Sequence, residues 1–79
     1  MSTMSDGSVI LHRRIAARVR TLRTERAMSL DALAKKCGVS RSMISLIERG
    51  ESSPTAVVLD RLAAGLGVTL SALFETPPP

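Results

Sequence analysis

The chain predicts an all-α fold, a compact bundle of five short helices in which the second and third form a helix-turn-helix. Three observations predict it. No stretch alternates apolar and polar residues with β-branched enrichment, so strand signals are nearly absent. The 79 residues are 44% apolar but include one aromatic, Phe74, so the core must be built from Leu, Ile, Val, Ala and Met, which suits short packed helices. Apolar residues also recur at helical spacing between capping residues and glycines.

The first helix is expected from about Ser8 to Arg26, with Leu11, Ile15, Val19 and Leu22 on one stripe and arginines on the other faces. The second begins after the cap Ser29, carries Asp31 in its first turn, turns Leu30, Leu33, Ala34 and Cys37 inward, and stops at Gly38. The third follows the cap Ser40 and runs to about Arg49, where Gly50 ends it. Pro54 fits the first turn of a fourth helix capped by Ser53, with Leu59, Leu62, Ala63 and Leu66 inside and Gly65 and Gly67 weakening and ending it. Thr69 is placed to cap a fifth helix carrying Leu70, Leu73 and Phe74, and Pro77, Pro78 and Pro79 cannot continue it. The expected organisation is therefore a flexible tail over 1–8, a helical domain over 9–76, and a proline tail or shortened linker over 77–79.

Composition narrows the function classes. The longest uncharged run, Leu62 to Phe74, contains two glycines and is too short to span a bilayer, and the polar start lacks an apolar signal region, so a soluble cytoplasmic protein is expected. One cysteine and one histidine allow neither an internal disulfide nor a plausible structural zinc site. No base accompanies Ser42 or Ser45 in a triad and no nucleotide-binding glycine loop exists, so neither enzymatic activity nor a cofactor is expected. Up to Arg49 ten Lys or Arg face four acids, a balance of +6, whereas from Gly50 onward one Arg faces three acids, a balance of −2. Such a basic half attracts a duplex whatever its sequence, because each phosphate neutralised releases condensed counterions.

That basic half contains the segment Ser29 to Gly50, two short amphipathic helices joined by Gly38-Val39-Ser40. Glycine can take the positive φ that ends one helix, valine can plug the angle between helices, and serine can cap the next. A second helix held in this way can be offered to the DNA major groove. Ile44 and Ile47 point inward, which leaves Arg41, Ser42, Ser45, Leu46 and Arg49 outward and Met43 at the margin. Arg41 and Ser42, at the helix start, are best placed to meet base edges. Arginine there pairs bidentately with O6 and N7 of guanine, Ser42 and Ser45 can donate or accept, and Leu46 can touch a thymine methyl. The blander reading of Arg41 is a phosphate contact, and Met43 is either core edge or base contact. Phosphate donors are expected from Ser29, Ser40, Arg49 and the loop hydroxyls of Ser52 and Ser53.

The run Ile15 to Phe74 resembles the phage-repressor-like (XRE-type) DNA-binding domains of bacterial regulators, through Ala34, Gly38-Val39-Ser40, Ile44, Ile47-Glu48-Arg49-Gly50 and Ser53-Pro54-Thr55. The stretch Ser40 to Thr55 looks most like the branch in which this domain precedes a cupin sensor barrel. The resemblance implies a bundle of the lambda-repressor type and a partly buried pair in which Glu48 meets Arg23 of the first helix. Two positions depart from it. Leu30 stands where many relatives carry a phosphate-binding glutamine, and Ala27 stands where relatives usually have glycine.

The remaining residues read more plainly. Cys37 is expected in the core and His12 on an exposed helix face. Val57 and Val58 lie outside the main stripe of the fourth helix and are candidates for a dimer patch. The leading expectation is a sequence-specific transcriptional regulator, a repressor in its simplest form, bound to double-stranded DNA as a homodimer on a pseudo-palindrome, with no membrane or small-molecule partner in this segment. The rival is a protein-interaction module such as an antitoxin. Only the first demands a steep salt dependence and a preferred sequence.

Overall fold

The structure, a computed structural model, describes residues 4–75, with side chains described from residue 11 onward. Four α-helices, α1 (Met4–Glu25), α2 (Leu30–Cys37), α3 (Arg41–Glu48) and α4 (Ala56–Leu66), are followed by a 3-10 helix over Leu70–Phe74. No strand is present among the described residues. Residues 1–3 of the expected tail, residue 76 and the proline segment 77–79 lie outside the described residues.

Helix α1 starts at Met4 rather than near Ser8, so residues 4–8 continue the helix instead of forming a tail. Once a helix is nucleated by packing, each added residue needs only one more hydrogen bond to extend it. Its inner stripe is Ile15, Ala16, Val19 and Leu22, all at 5% exposure or less, whereas Leu11 is 40% exposed. The apolar stripe thus outruns the helices that cover it. Arg18 fastens the other end of the chain to α1: its Nε donates to the Ala72 carbonyl at 3.0 Å, and its guanidinium lies 3.9 Å from Glu75.

The two short helices that follow are held by their caps. The Ser29 hydroxyl accepts from Ala32 N at 3.0 Å, and that of Ser40 accepts from Met43 N at 3.1 Å, each satisfying one of the N–H groups a helix start leaves without a partner. Between them Gly38 adopts φ 73°, ψ 22°, and its N–H returns to the Ala34 carbonyl. A side chain in that left-handed region costs about 1–2 kcal/mol, which glycine avoids. Val39 then drops into the core at 7% exposure. The turn between α1 and α2 solves the same problem without glycine, since Ala27 sits at φ 53°. A hydrogen bond from Met28 N to the Arg23 carbonyl closes that turn around it.

Two expectations at the C-terminal side are corrected. Helix α4 is capped by Thr55, whose hydroxyl accepts from Val58 N at 3.2 Å, and Pro54 stays outside the helix instead of filling its first turn under a Ser53 cap. The hydroxyl one residue beyond the proline supplies the cap, and the inward stripe is unchanged. The fifth helix is a 3-10 helix, not an α-helix, and Thr69 makes no side-chain cap bond. Five residues are too few to repay α-nucleation, and the tighter turn still delivers Leu73 to the core at 0% exposure.

The core is formed where α2 packs on α4 and α1 packs on α3 and the 3-10 helix, around Val19, Leu33, Ile44, Ile47, Leu62, Leu66 and Leu73. Leu59 is only half-buried at its edge. Gly65 is required for the α2–α4 approach rather than for flexibility. A Cβ placed on it would lie 2.7 Å from Cys37 Cβ and 3.1 Å from Cys37 Cα. Gly65→Ala is therefore expected to destabilise by about 1–3 kcal/mol of overpacking, against a helix-propensity gain of about 1 kcal/mol. Denaturant titration checks the sign. Adding Cys37→Ala should not rescue the variant, because the obstructing atoms are the Cβ and backbone that alanine keeps.

Candidate nucleic-acid interface

Helix α3 owes its position to both faces of its sequence. Ile44 and Ile47 are 0% and 1% exposed and nail its inner face to the core. Its far end is fixed by an ion pair. Arg23 Nε donates to Glu48 Oε2 at 2.7 Å, Nη2 donates to Oε1 at 2.9 Å, and Nη1 reaches the Met28 carbonyl at 2.9 Å. The pair joins α1 to α3 and closes the turn before α2 with one guanidinium. Side-chain exposures of 14% for Arg23 and 8% for Glu48 make it a half-buried bidentate contact. The hydrogen bond to Glu48 raises the Arg23 pKa above its ordinary value, more than the opposing effect of burial lowers it.

What remains of α3 faces outward. Arg41, Ser42, Ser45, Leu46 and Arg49, joined by Leu30 at the start of α2, line one open groove of about 320 Å³. Every expected base-contact residue except Met43 is on it. Met43 is half-buried against the core, with its sulfur 3.7 Å from the Ser52 hydroxyl. Arg41 is 64% exposed at the side chain, and its Nε lies 3.6 Å from Asp31 Oδ1 in the first turn of α2. That pair crosses the helix-turn-helix. Sequence reading placed Asp31 only at a helix start, because the crossing angle that brings it to Arg41 is a tertiary property.

The expected phosphate donors divide into two groups. Ser29 and Ser40 accept backbone bonds with their oxygens and keep their hydroxyl hydrogens for a further acceptor. Arg49 is exposed, donating from Nε to the Ser45 carbonyl at 3.3 Å and lying 3.8 Å from Glu51. The loop hydroxyls are occupied: Ser52 is on Met43, and the Ser53 oxygen lies 3.2 Å from His12 Nε2. The latter contact moves His12 from a plain surface position to the seam between α1 and the loop before α4. Leu30 packs its side chain against the core edge as well as the groove, a placement a glutamine amide would not share.

The two valines separate. Val57 is 61% exposed, while Val58 packs against the core and so does not extend a free patch. Cys37 is buried at 6% exposure against α4. No group of three or more His, Cys, Asp or Glu among the described residues is placed to hold a metal ion. No helix among them is long and apolar enough to cross a membrane.

Comparison with known proteins agrees with this geometry. The Helix-turn-helix family model (HTH_3) matches residues 19–73, from the buried Val19 in the last two turns of α1 to the 3-10 helix. The HTH-type transcriptional regulator SutR of Escherichia coli K12 is 44% identical over 67 residues, which are 85% of this chain but 38% of that protein. A solved HTH_3 family transcriptional regulator from Vibrio cholerae superposes with a TM-score of 0.81 at 47% identity, covering 84% of this chain and 37% of that one. The restriction-modification controller protein C.AhdI of Aeromonas hydrophila superposes at 0.77 with 32% identity over 80% of this chain and 96% of its own. The chain thus spans well under half of the first two proteins and nearly all of the third. With most of its length matched by the family model and its turn, caps and outward α3 face in place, the chain belongs to the helix-turn-helix family HTH_3.

Proposed function

We propose that this chain is the DNA-binding part of a transcription regulator that inserts α3 into the major groove of a pseudo-palindromic operator, where it acts as a repressor. The observation that carries the reading is the single groove lined by Arg41, Ser42, Ser45, Leu46 and Arg49 on a helix whose inner face and far end are both immobilised. Base readout needs such a surface, because hydrogen bonds to base edges discriminate only when the donors are held in register. Arg41 reads guanine, Ser42 and Ser45 read neighbouring edges, and Leu46 covers a thymine methyl. Ser29, Ser40 and Arg49 hold the flanking phosphates, with the Ser52–Ser53 loop behind them.

The relatives bear the names of transcriptional regulators and of a controller protein, which supports regulation rather than catalysis. In our reading the helices from α1 to the 3-10 helix form the domain, two copies bind half-sites about one helical turn apart, roughly 34–36 Å, and Val57 contributes to the contact between them. A sensor domain of the cupin type completes the regulator, a reading supported by the sequence resemblance around Ser40 to Thr55. Selecting bound duplexes from a random pool tests the proposal. The expected result is an enriched site with a guanine in each half and affinity that falls steeply with salt. Absence of any preferred sequence, with binding insensitive to salt, overturns it in favour of a protein-docking module.

A further inference from the structure

A second basic depression lies beside the first, on a face that the groove of α3 does not include. Its lining comes from the middle of α1 and the end of α3: Arg13, Arg20 and Arg49 at the rim, with Ala16, Ala17 and Thr21 between them. Arg49 lines both depressions, so the two adjoin at the end of α3. The spacing on α1 is regular. Arg13 and Arg20 are two helical turns apart on one face, and the alanines between them leave a low floor over which a bulky backbone can pass.

Charge on this face is not cancelled from beneath. Glu48 also lines the depression, but both its oxygens are engaged by Arg23. Glu51 lies 3.8 Å from Arg49 and offsets part of that one charge. Arg13 and Arg20 are exposed, and their guanidinium groups make no intramolecular hydrogen bond or ion pair among the described residues. The contact between His12 and Ser53 places this part of α1 against the loop before α4.

We infer that Arg13 and Arg20 form a phosphodiester-binding saddle that holds the backbone of the same duplex outside the segment α3 reads. This inference rests on the proposed function, since the occupant is the duplex that α3 engages. Charge complementarity and continuity through Arg49 select that occupant. The saddle contributes affinity without sequence preference, because phosphates carry no base information.

The test is a salt titration of the full chain on a mixed-sequence duplex, comparing the unaltered protein with Arg13→Gln/Arg20→Gln and with Arg26→Gln/Lys36→Gln. The latter pair lies on a separate depression with Met28 and the end of α4, which shares no residue with the other two. Each neutralised phosphate contributes about 0.9 to the slope of log affinity against log salt, so the first variant is expected to lose about 1.8 and the control much less. Thermal melts should be unchanged for the first variant, whose side chains make no internal bond. An unaltered slope in Arg13→Gln/Arg20→Gln, or an equal fall in the control, overturns the saddle while leaving the reading of α3 intact. If the unaltered protein shows no salt-dependent duplex binding, the proposed function and the saddle both fall.

Discussion

Replacing Glu48 by alanine is expected to lower stability by about 1.5–3 kcal/mol, because it leaves the half-buried Arg23 guanidinium without its bidentate partner. Against a total of roughly 5–15 kcal/mol for a small domain, that loss is a substantial share of the stability. Arg23→Ala should cost at least as much. It exposes the opposite charge and also removes the donor to the Met28 carbonyl, which closes the turn into α2. Denaturant titration of the single and double variants isolates the pair. The double variant should lose less than the two singles together, since neither charge is then stranded. Strict additivity would show that the two side chains do not act as a unit.

The pair also predicts a flat pH response on its basic side. The hydrogen bond to Glu48 raises the Arg23 pKa. A group whose folded pKa is raised contributes fully below its unfolded value and loses that contribution only as pH climbs through the folded one. For arginine both lie far above neutrality, so the contribution of its protonation is constant through the neutral range.

Arg41→Ala is expected to act on recognition and not on folding. Its side chain is 64% exposed and its partner Asp31 is 71% exposed, so the ion pair it loses contributes at most about 1 kcal/mol to stability. At the operator the loss should appear as weakened discrimination for guanine at one position of each half-site, about 1–3 kcal/mol or roughly 5- to 150-fold. Competition among duplexes that differ only at that base measures it, alongside a melt. A uniform loss over all sequences, with a salt slope smaller by about 0.9, would make Arg41 a phosphate contact instead.

Much of the molecule was legible from local chemistry. The caps at Ser29 and Ser40, the left-handed turn at Gly38 and the inward pair Ile44 and Ile47 all depend on residues within one or two turns, where type and spacing are decisive. The outward set on α3 follows from the same period, which is why Arg41, Ser42, Ser45 and Leu46 share one groove. Met43 and Val58 were less legible, because a position at the edge of a helical stripe is assigned only by what packs against it.

The sequence by itself determined α2 and α3, their caps at Ser29 and Ser40, and the face of α3 that points outward, since each is set by interactions a few residues apart. Only the tertiary structure decided where those helices cross. It brings Asp31 to Arg41, His12 to Ser53, and Arg13 and Arg20 to Arg49 across separations that no periodicity spans. It also explains Gly65, which looked like a weak point of α4 and is the place where α4 comes within a Cβ radius of Cys37. The physical reason is the same in each case: a local pattern says which side of a helix is buried, whereas the distance and angle of approach come from interlocking side chains of another helix.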